Sequence, residues 1–428
     1  MAGTKRTFND MLNQYLAYEL LRSEQQKRNF VMSRVETDES WRGGDLIVPF
    51  QGGSASSFKY GGLTAVGNVS ENRYVRGVVS GYKEIWGTMM FHSRDLMEHG
   101  GGGGAGEVSE QSFLKNLPDT ITQFMDDLKQ VVSVNFLNGT HIATLTATTT
   151  SAVGIFFVDH PERVTLQQYL TLKDADSTIS GYVSAIDMNT GSVTVSTTRA
   201  DSLLAVPISP VSFAAANTQT APFSKVYVDG ADTVGNAFTP IRDQVLSVAN
   251  GGSAQLFGQT KTAFPYLQST NVNGSGLTSA TFLDGLFDFV NFHRTLGRMG
   301  ADELVMSYKK LGTVMKLLEL KAGAYRHVKS EANLYGWTTI TIVGVKGEFK
   351  ITGVQEMDND VVYLADWKGL KVHTNQGFKK QADPEGKVYT TVRASDGFEY
   401  YVDLCFYGEL ILNRPSTWGV LHSIPTTF

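Results

Sequence analysis

The stretch Ser109 to Gly139, SEQSFLKNLPDTITQFMDDLKQVVSVNFLNG, constrains the chain most. Its apolar residues are Phe113, Leu117, Ile121, Phe124, Met125, Leu128, Val131 and Val132. Steps of three and four place them on one helical stripe. Ser109 can cap the start, because its hydroxyl can accept from an orphan N–H. Asn138-Gly139 suits the stop, since both residues tolerate left-handed backbone. At ~1.5 Å per residue the helix spans roughly 40 Å. Pro118 lacks an N–H and either kinks this rod or starts its main segment. The apolar face is narrow and the opposite face polar, so the spacing predicts a strut lying on something, not a fully buried helix. Leu117, Ile121, Phe124, Leu128 and Val132 are the expected packing residues.

The segments before it look extended. Residues 1–40 open with an amphipathic pattern at Phe8, Met11, Leu12, Tyr15, Leu16 and Leu20. A polar run follows, interrupted by Phe30, Val31 and Met32. This reads either as an arm docked on a neighbour or as a helix packed on its own domain. Residues 41–97 read as a long two-stranded excursion: out through Asp45 to Phe50, back from Tyr74 to Trp86, then Met89, Met90 and Phe91. Such a hairpin is too thin to be stable alone and must lean on another surface. Gly100 to Gly104 make a glycine run within residues 98–108. It lacks the Gly-Lys-Ser/Thr ending of a phosphate loop, and Glu107 follows it, so it reads as a hinge.

After the strut the composition changes. Residues 141–232 are rich in Ser, Thr, Ala and Val, and no charge occurs between Asp201 and Lys225. Tyr182–Ile186, a turn over Asp187–Gly191 and Ser192–Ser196 read as strand, turn, strand, with further strands at Leu166–Leu172 and Lys225–Val228. Residues 233–336 read as mixed: a helix through Phe282, Leu283, Leu286, Phe287 and Val290, a strand at Glu303–Met306, and a helix capped by Ser307. That second helix carries Tyr308, Leu311, Met315 and Leu318 on one face. Residues 337–428 read mostly as strand.

Charged residues make up 18% of the 428, below the usual ~25%. Much of the surface is therefore expected to be covered, within the chain or by copies of it. The formal net charge of −5 argues against a reader that clamps phosphates with a basic face. Cys405 is the single cysteine, which excludes a disulfide framework or a multi-Cys zinc site within one chain. The N-terminus has no signal-peptide core, and no run of about 18 apolar residues suits a membrane span. A reducing cytoplasm is expected, so the sequons at Asn68, Asn138 and Asn273 carry no glycosylation meaning. No HExxH or GxSxG occurs. Asp358-Asn359-Asp360 resembles the start of a calcium loop, but Tyr363 and Gly369 stand where Gly and Glu are required. Asp284 and Asp288 lie four apart with no third ligand, and Asp126-Asp127 point about 100° apart on a helix. His293 reads as packing or solvent. None of these patterns has the spacing of a catalytic, metal-binding or cofactor-binding site.

The order of polar arm, long hairpin, glycine hinge, long helix, β-rich mixed domain and β tail resembles the major capsid protein of tailed double-stranded DNA bacteriophages, the Hong Kong 97-type fold. Glu39 to Trp86 looks like that family's extended loop, Ser109 to Gly139 its spine helix, Ala301 to Ser307 with the Tyr308 helix its axial domain, and Gly408–Pro415 with Gly419–Ile424 its closing strands. The resemblance implies an α+β fold with these parts: N-terminal arm 1–40, extended loop 41–97, hinge 98–108, peripheral domain 109–140 and 337–428, β insertion 141–232, axial domain 233–336. It implies a structural, non-enzymatic subunit that assembles into pentamers and hexamers of an icosahedral shell around double-stranded DNA. The subunit would be built in the host cytoplasm and reside in the virion. Phe50, Phe58, Lys59, Tyr60 and Tyr74 in the loop are the implied inter-subunit contacts. A separate scaffolding protein, a portal and a decoration protein are implied partners, with no membrane. Lys59 and Lys83 lie where some relatives cross-link, but no partner residue is identified. Two other readings remain open: a bacterial nanocompartment shell of the same fold, which usually lacks a large β insertion, and a cytoplasmic enzyme or binding module with a site between the β module and the α/β unit.

Overall fold

The computed structural model describes residues 30–42, 44–51, 74–81, 83–92, 124–145, 155–173, 178–198, 225–231, 236–298, 300–320, 329–332, 338–344, 347–380, 390–394 and 397–426. Among them, helix 124–137 is the element on which two sheets converge. Met125, Leu128, Val132, Phe136 and Leu137 enter the largest core, while Val134 points the other way into a second core. Phe124 packs partly buried against the first. Every residue from Val132 to Gly139 is buried, including Ser133 and Asn135. The C-terminal half is thus not the strut with one wet face that its polar residues suggest; the inserted β sheet closes over that face. Leu117 and Ile121, with Ser109 and Pro118, lie outside the described residues. The helix ends where expected. Gly139 takes φ 148°, but Asn138 is not left-handed. It is buried because its Oδ1 accepts from the Asp358 N–H (3.0 Å) and its Nδ2 donates to the Glu356 carbonyl.

The helix lies on a five-stranded sheet of Glu36–Asp38, Leu370–Lys380, Gly397–Leu412, Thr390–Ala394 and Lys83–His92. Side chains alternate along the strand Gly397–Leu412. Val402, Leu404, Phe406, Leu410 and Leu412 face the helix, and Ile411 faces away. Gly87 permits the close approach, since a Cβ there would lie 2.8 Å from the Phe124 ring. Strand Lys83–His92 stops opposite Gly408. Beyond that point Gln244 takes over the ladder, donating to Leu410 O and accepting from Leu412 N, both at 2.8 Å.

Among the described residues, the returning strand of the hairpin ends earlier than the sequence pattern suggests. Leu46–Gln51 pairs antiparallel with Tyr74–Val79. A break at Gly81 (φ 69°) then sends Lys83–His92 into the five-stranded sheet. Residues 30–38 do not extend from the body as an arm. Phe30, Val31 and Met32 are buried in the main core, Glu36–Asp38 pairs parallel with Lys371–His373, and Arg34 reaches Glu303 at 3.2 Å. The amphipathic pattern at 8–20, the loop residues 52–73 and the glycine hinge lie outside the described residues.

The insertion forms a six-stranded antiparallel sheet in the order 141–144, 225–228, 169–173, 178–187, 192–196, 155–157. Its core holds Phe156, Leu170, Leu172, Val183, Val193, Val195 and Val226. The Asp187 carboxylate makes the predicted turn by accepting from Asn189 N (2.9 Å) and Thr190 Oγ1 (2.8 Å), with Gly191 at φ 72°.

A seven-stranded sheet runs 270–273, 419–422, 362–365, 303–307, 347–354, 338–344, 329–332. Helices Phe282–Thr295 and Tyr308–Leu320 cover one face, packing on Leu304, Met306, Ile351 and Leu421. Val305, Tyr363 and Val420 on the other face join the main core. Residues 337–428 therefore divide: strands at 338–344, 347–354, 362–365 and 419–422 belong beside Glu303–Ser307, while Leu370–Lys380, Thr390–Ala394 and Gly397–Leu412 form the sheet under the helix. Ser307 does cap the second helix through Lys310 N–H (3.4 Å). Its buried face is Leu311, Val314, Leu317 and Leu318, whereas Tyr308 and Met315 are 39% and 41% exposed. The sheet lies under the 311/314/318 stripe, which leaves positions 308 and 315 at its flank.

Candidate functional site

Two features stand out as candidates: a buried charged junction under the insertion, and the surfaces left bare around the hairpin.

At the junction, Arg163 ends the short turn Pro161–Arg163 of the insertion, Arg242 sits on helix Ile241–Val245, and Asp358 and Asp360 follow strand Gly347–Val354. Arg163 Nη1 donates to Asp358 Oδ1 (2.8 Å) and to the Ile142 carbonyl (3.1 Å). Arg242 donates to Asp360 Oδ2 (2.7 Å) and, more weakly, to Asp358 Oδ2 (3.4 Å). Asn359 accepts from Ser307 Oγ at 2.6 Å. The Asp-Asn-Asp segment thus ties arginines and a serine rather than calcium. Burial works to raise the Asp358 pKa, but Arg163 first, then His141 and Arg242, outweigh it and hold the carboxyl below its ordinary range. Burial likewise works against the Arg242 cation; Asp360 leads the opposing charges and raises it on balance. His141 lies 3.8 Å from Asp358, yet burial pushes its imidazole down to about 4, more than Asp358 raises it. At neutral pH that contact is not an ion pair.

Two further buried carboxylates brace the core. Glu303 accepts from Arg34, from Trp367 Nε1 (2.6 Å) and from the Thr352 hydroxyl, joining residues 30–38 to the seven-stranded sheet. Glu409 accepts on Oε1 from Thr239 N (2.7 Å) and Leu410 N (3.1 Å), and among the described residues its Oε2 has no partner. Burial pushes this carboxyl up to about 7 despite those donors. His293, 0% exposed, sets Nδ1 2.8 Å from Thr270 Oγ1. These groups are built into packing, and their partners are consumed in holding elements together. Among the described residues, no group of three His, Cys, Asp or Glu is placed to hold a metal, and no helix is long and apolar enough to cross a membrane.

The expected inter-subunit residues divide. Phe50 is 0% exposed and stacks on Phe257 of its own chain, with ring centroids 6.0 Å apart and planes 9° apart. It is therefore a fastener of the hairpin to its own body, among Trp41, Val48, Val79, Leu256, Leu267 and Ile411. A Cβ at Gly77 would run into the Phe50 ring, which explains that glycine. Tyr74 is 70% exposed, and on the same outward face Ile47 is 52% exposed; Trp86 on the next strand is 45% exposed. Phe58, Lys59 and Tyr60 lie outside the described residues. Sequence reasoning missed the junction. Arg163 ends the charged run Asp159-His160-Pro161-Glu162-Arg163, and nothing local in that run points to a partner at Asp358.

Neither a family model nor a curated protein matches the sequence. Among solved structures the chain is similar to the capsid asymmetric unit of cyanophage A-1(L), at 11% identity and a TM-score of 0.48, covering 99% of this chain and 95% of that one. It is similar to the capsid of the native GTA particle, at 9% identity and a TM-score of 0.43, covering 99% and 93%. It is also similar to the SrpI encapsulin complex of Synechococcus elongatus, at 8% identity and a TM-score of 0.41, covering 100% and 94%.

Proposed function

We propose that the chain is the major capsid protein of a tailed double-stranded DNA phage, a subunit that assembles through pentamers and hexamers into an icosahedral shell. The observation that carries this reading is the hairpin. One of its faces is fastened by Phe50 to its own body, while the other presents Ile47 and Tyr74 to solvent; Trp86, on the strand that follows, is also exposed. Apolar surface on an extended element calls for a cover, and in a shell the neighbouring copy supplies it. The low charge content agrees, because a tile meets neighbours on several sides. The acidic balance suits a wall around DNA, which must contain phosphate without gripping it. A separate scaffolding protein, a portal and a decoration protein are the partners this function calls for, with assembly in the host cytoplasm.

The test is to express the chain with and without the proteins encoded beside it, measure particle mass by sedimentation, and image the product. Capsomers or closed shells are expected, and shells from infected cells should protect DNA from nuclease. A chain that stays monomeric under every condition overturns the reading. Shells that enclose a protein cargo and no DNA redirect it to a nanocompartment.

A further inference from the structure

The buried Glu409 carboxyl sits where the hairpin, the five-stranded sheet and the chain leading into helix Ile241–Val245 meet. The ladder of strand Lys83–His92 stops at the Lys83–Gly408 pair, one residue short of it. The segment before helix Ile241–Val245 covers it there, with the Thr239 N–H donating at 2.7 Å. Ile411 lies two residues further along the same strand face. Of the five-stranded sheet's described residues, Ile411 alone enters the cluster of Trp41, Val48, Phe50 and Val79 that seats the hairpin. Glu409 therefore borders that seat, near the break at Gly81 where the chain passes from hairpin to sheet.

The groups around Glu409 do not balance a negative charge. His373 is its cross-strand neighbour, but burial holds that imidazole below its ordinary range against the pull of Asp38, 3.4 Å away. Lys371, on the same strand as His373, pairs with Glu36 at 2.8 Å. Thr239 is neutral, and Tyr407 and Ile411 are the neighbours on its own strand face. Lys83 attracts the carboxylate, yet burial outweighs Lys83 and the N–H donors together and leaves the group at about 7. A buried neutral carboxyl tolerates one unpartnered oxygen far better than a buried carboxylate does. Water reaches it most cheaply at the end of the ladder, because ladder ends open more readily than their middles.

We propose that Glu409 is a proton-operated latch for the hairpin: protonated, it lets Thr239 and the Lys83 end of the ladder close over it and keeps the hairpin seated at Ile411; ionised, it admits water there and unseats the hairpin. The closed latch holds a proton that the open latch releases to solvent. Opening therefore becomes easier as pH rises from ~4.3 to about 7 and levels off above. The latch belongs to the single subunit and stands apart from the shell reading. Within that reading, it sets by pH how the face carrying Ile47 and Tyr74 is presented to a neighbour.

The experiment places spin labels on the unassembled full-length chain at Tyr74→Cys, on the hairpin, and Thr295→Cys, on helix Phe282–Thr295, both exposed. Cys405 is buried and stays in place. Distance distributions are recorded from pH 5 to pH 8.5, with a melt at each pH to check folding. A second distance population is expected to grow more than tenfold between pH 5 and pH 7.5 and to level off above. Glu409→Gln, which keeps the neutral form, is expected to hold one distance at every pH. A distance that ignores pH, a shift that survives Glu409→Gln, or a shift that appears only with loss of the melting transition overturns the latch. A chain that shows the shift but never forms shells keeps the latch and removes the shell reading.

Discussion

Arg163 reaches across 195 positions of sequence to donate a 2.8 Å hydrogen bond to Asp358, with both side chains nearly closed to solvent. The pair fastens the insertion to the body. Removing one partner from a buried pair costs ~3–5 kcal/mol, because the other charge is left uncompensated. The two halves should not cost the same. Asp358→Asn strands Arg163 and weakens Arg242, whereas Arg163→Leu leaves Asp358 still facing Arg242, and it discards a guanidinium whose Nε and Nη2 have no partner among the described residues. Urea unfolding should therefore rank Asp358→Asn as the more damaging change, and the reverse order would remove Asp358 from the centre of the junction.

Acid should act through the same pair. The folded pKa of Asp358 lies below its unfolded value of about 3.9. Its contribution to stability is present above that unfolded value and is lost as pH falls below it toward the folded pKa. Hydrogen exchange between pH 4 and pH 2 should show the insertion strands losing protection first, and uniform loss across all sheets would contradict this.

Glu409 carries the opposite sign. Burial raises its carboxyl to about 7. The folded state then holds a proton that the unfolded chain releases near pH ~4.3, so stability falls as pH climbs from there to about 7 and levels off above. Glu409→Gln keeps an oxygen for Thr239 N and Leu410 N and removes the charge. At pH 8 the variant should be more stable than the parent by ~3–4 kcal/mol, and at pH 4 nearly equal. A constant difference across pH, read from denaturant midpoints, would refute the buried-proton account.

Leu128 is 7% exposed on the face of the helix that meets Gly87 and the five-stranded sheet. Leu128→Ala should cost ~2–5 kcal/mol through lost burial and a cavity, and Leu128→Asp should give insoluble chain because the charge has no partner there. Gly87→Val should be damaging too, since its Cβ would meet the Phe124 ring. Soluble, cooperatively melting Leu128→Asp would mean that the helix does not lie on this sheet.

Periodicity carried much of this architecture. Leu128 and Val132 were legible because a helix with one apolar stripe announces the face it buries. The strand–turn–strand at Tyr182–Ser196 was legible because Asp187 and Gly191 set a turn locally. What failed was long-range. Val134 and Asn135 look like a helix's outer face until the insertion closes over them. Strand 419–422 pairs parallel with 270–273 across about 150 residues, and no local pattern records such a partner. Phe50 was misjudged for the same reason: its cover, Phe257, comes from a loop more than 200 positions away. Arg163 and Asp358 are each unremarkable in sequence, and only folding brings their charges together.

In the proposed shell, the hairpin would separate folding from assembly more sharply than any other described element. Its inward residues Val48, Phe50 and Val79 hold it to the body, while Ile47 and Tyr74 point outward and contribute little to the monomer. Phe50→Ala should therefore loosen the fold by ~3–5 kcal/mol, the range for removing a buried aromatic ring. Ile47→Lys with Tyr74→Lys should leave the melting temperature almost unchanged, since exposed substitutions usually shift stability by ~0.5 kcal/mol or less. The same pair should abolish or strongly reduce closed particles, because charge placed on a surface that another copy covers is desolvated without a partner. Deleting residues 52–73 should act in the same direction, giving soluble subunits that assemble poorly. Thermal melts and sedimentation on the same samples distinguish the two classes. If Ile47→Lys with Tyr74→Lys forms normal shells, the outward face is solvent in the particle, and the hairpin's intersubunit role passes to a different surface.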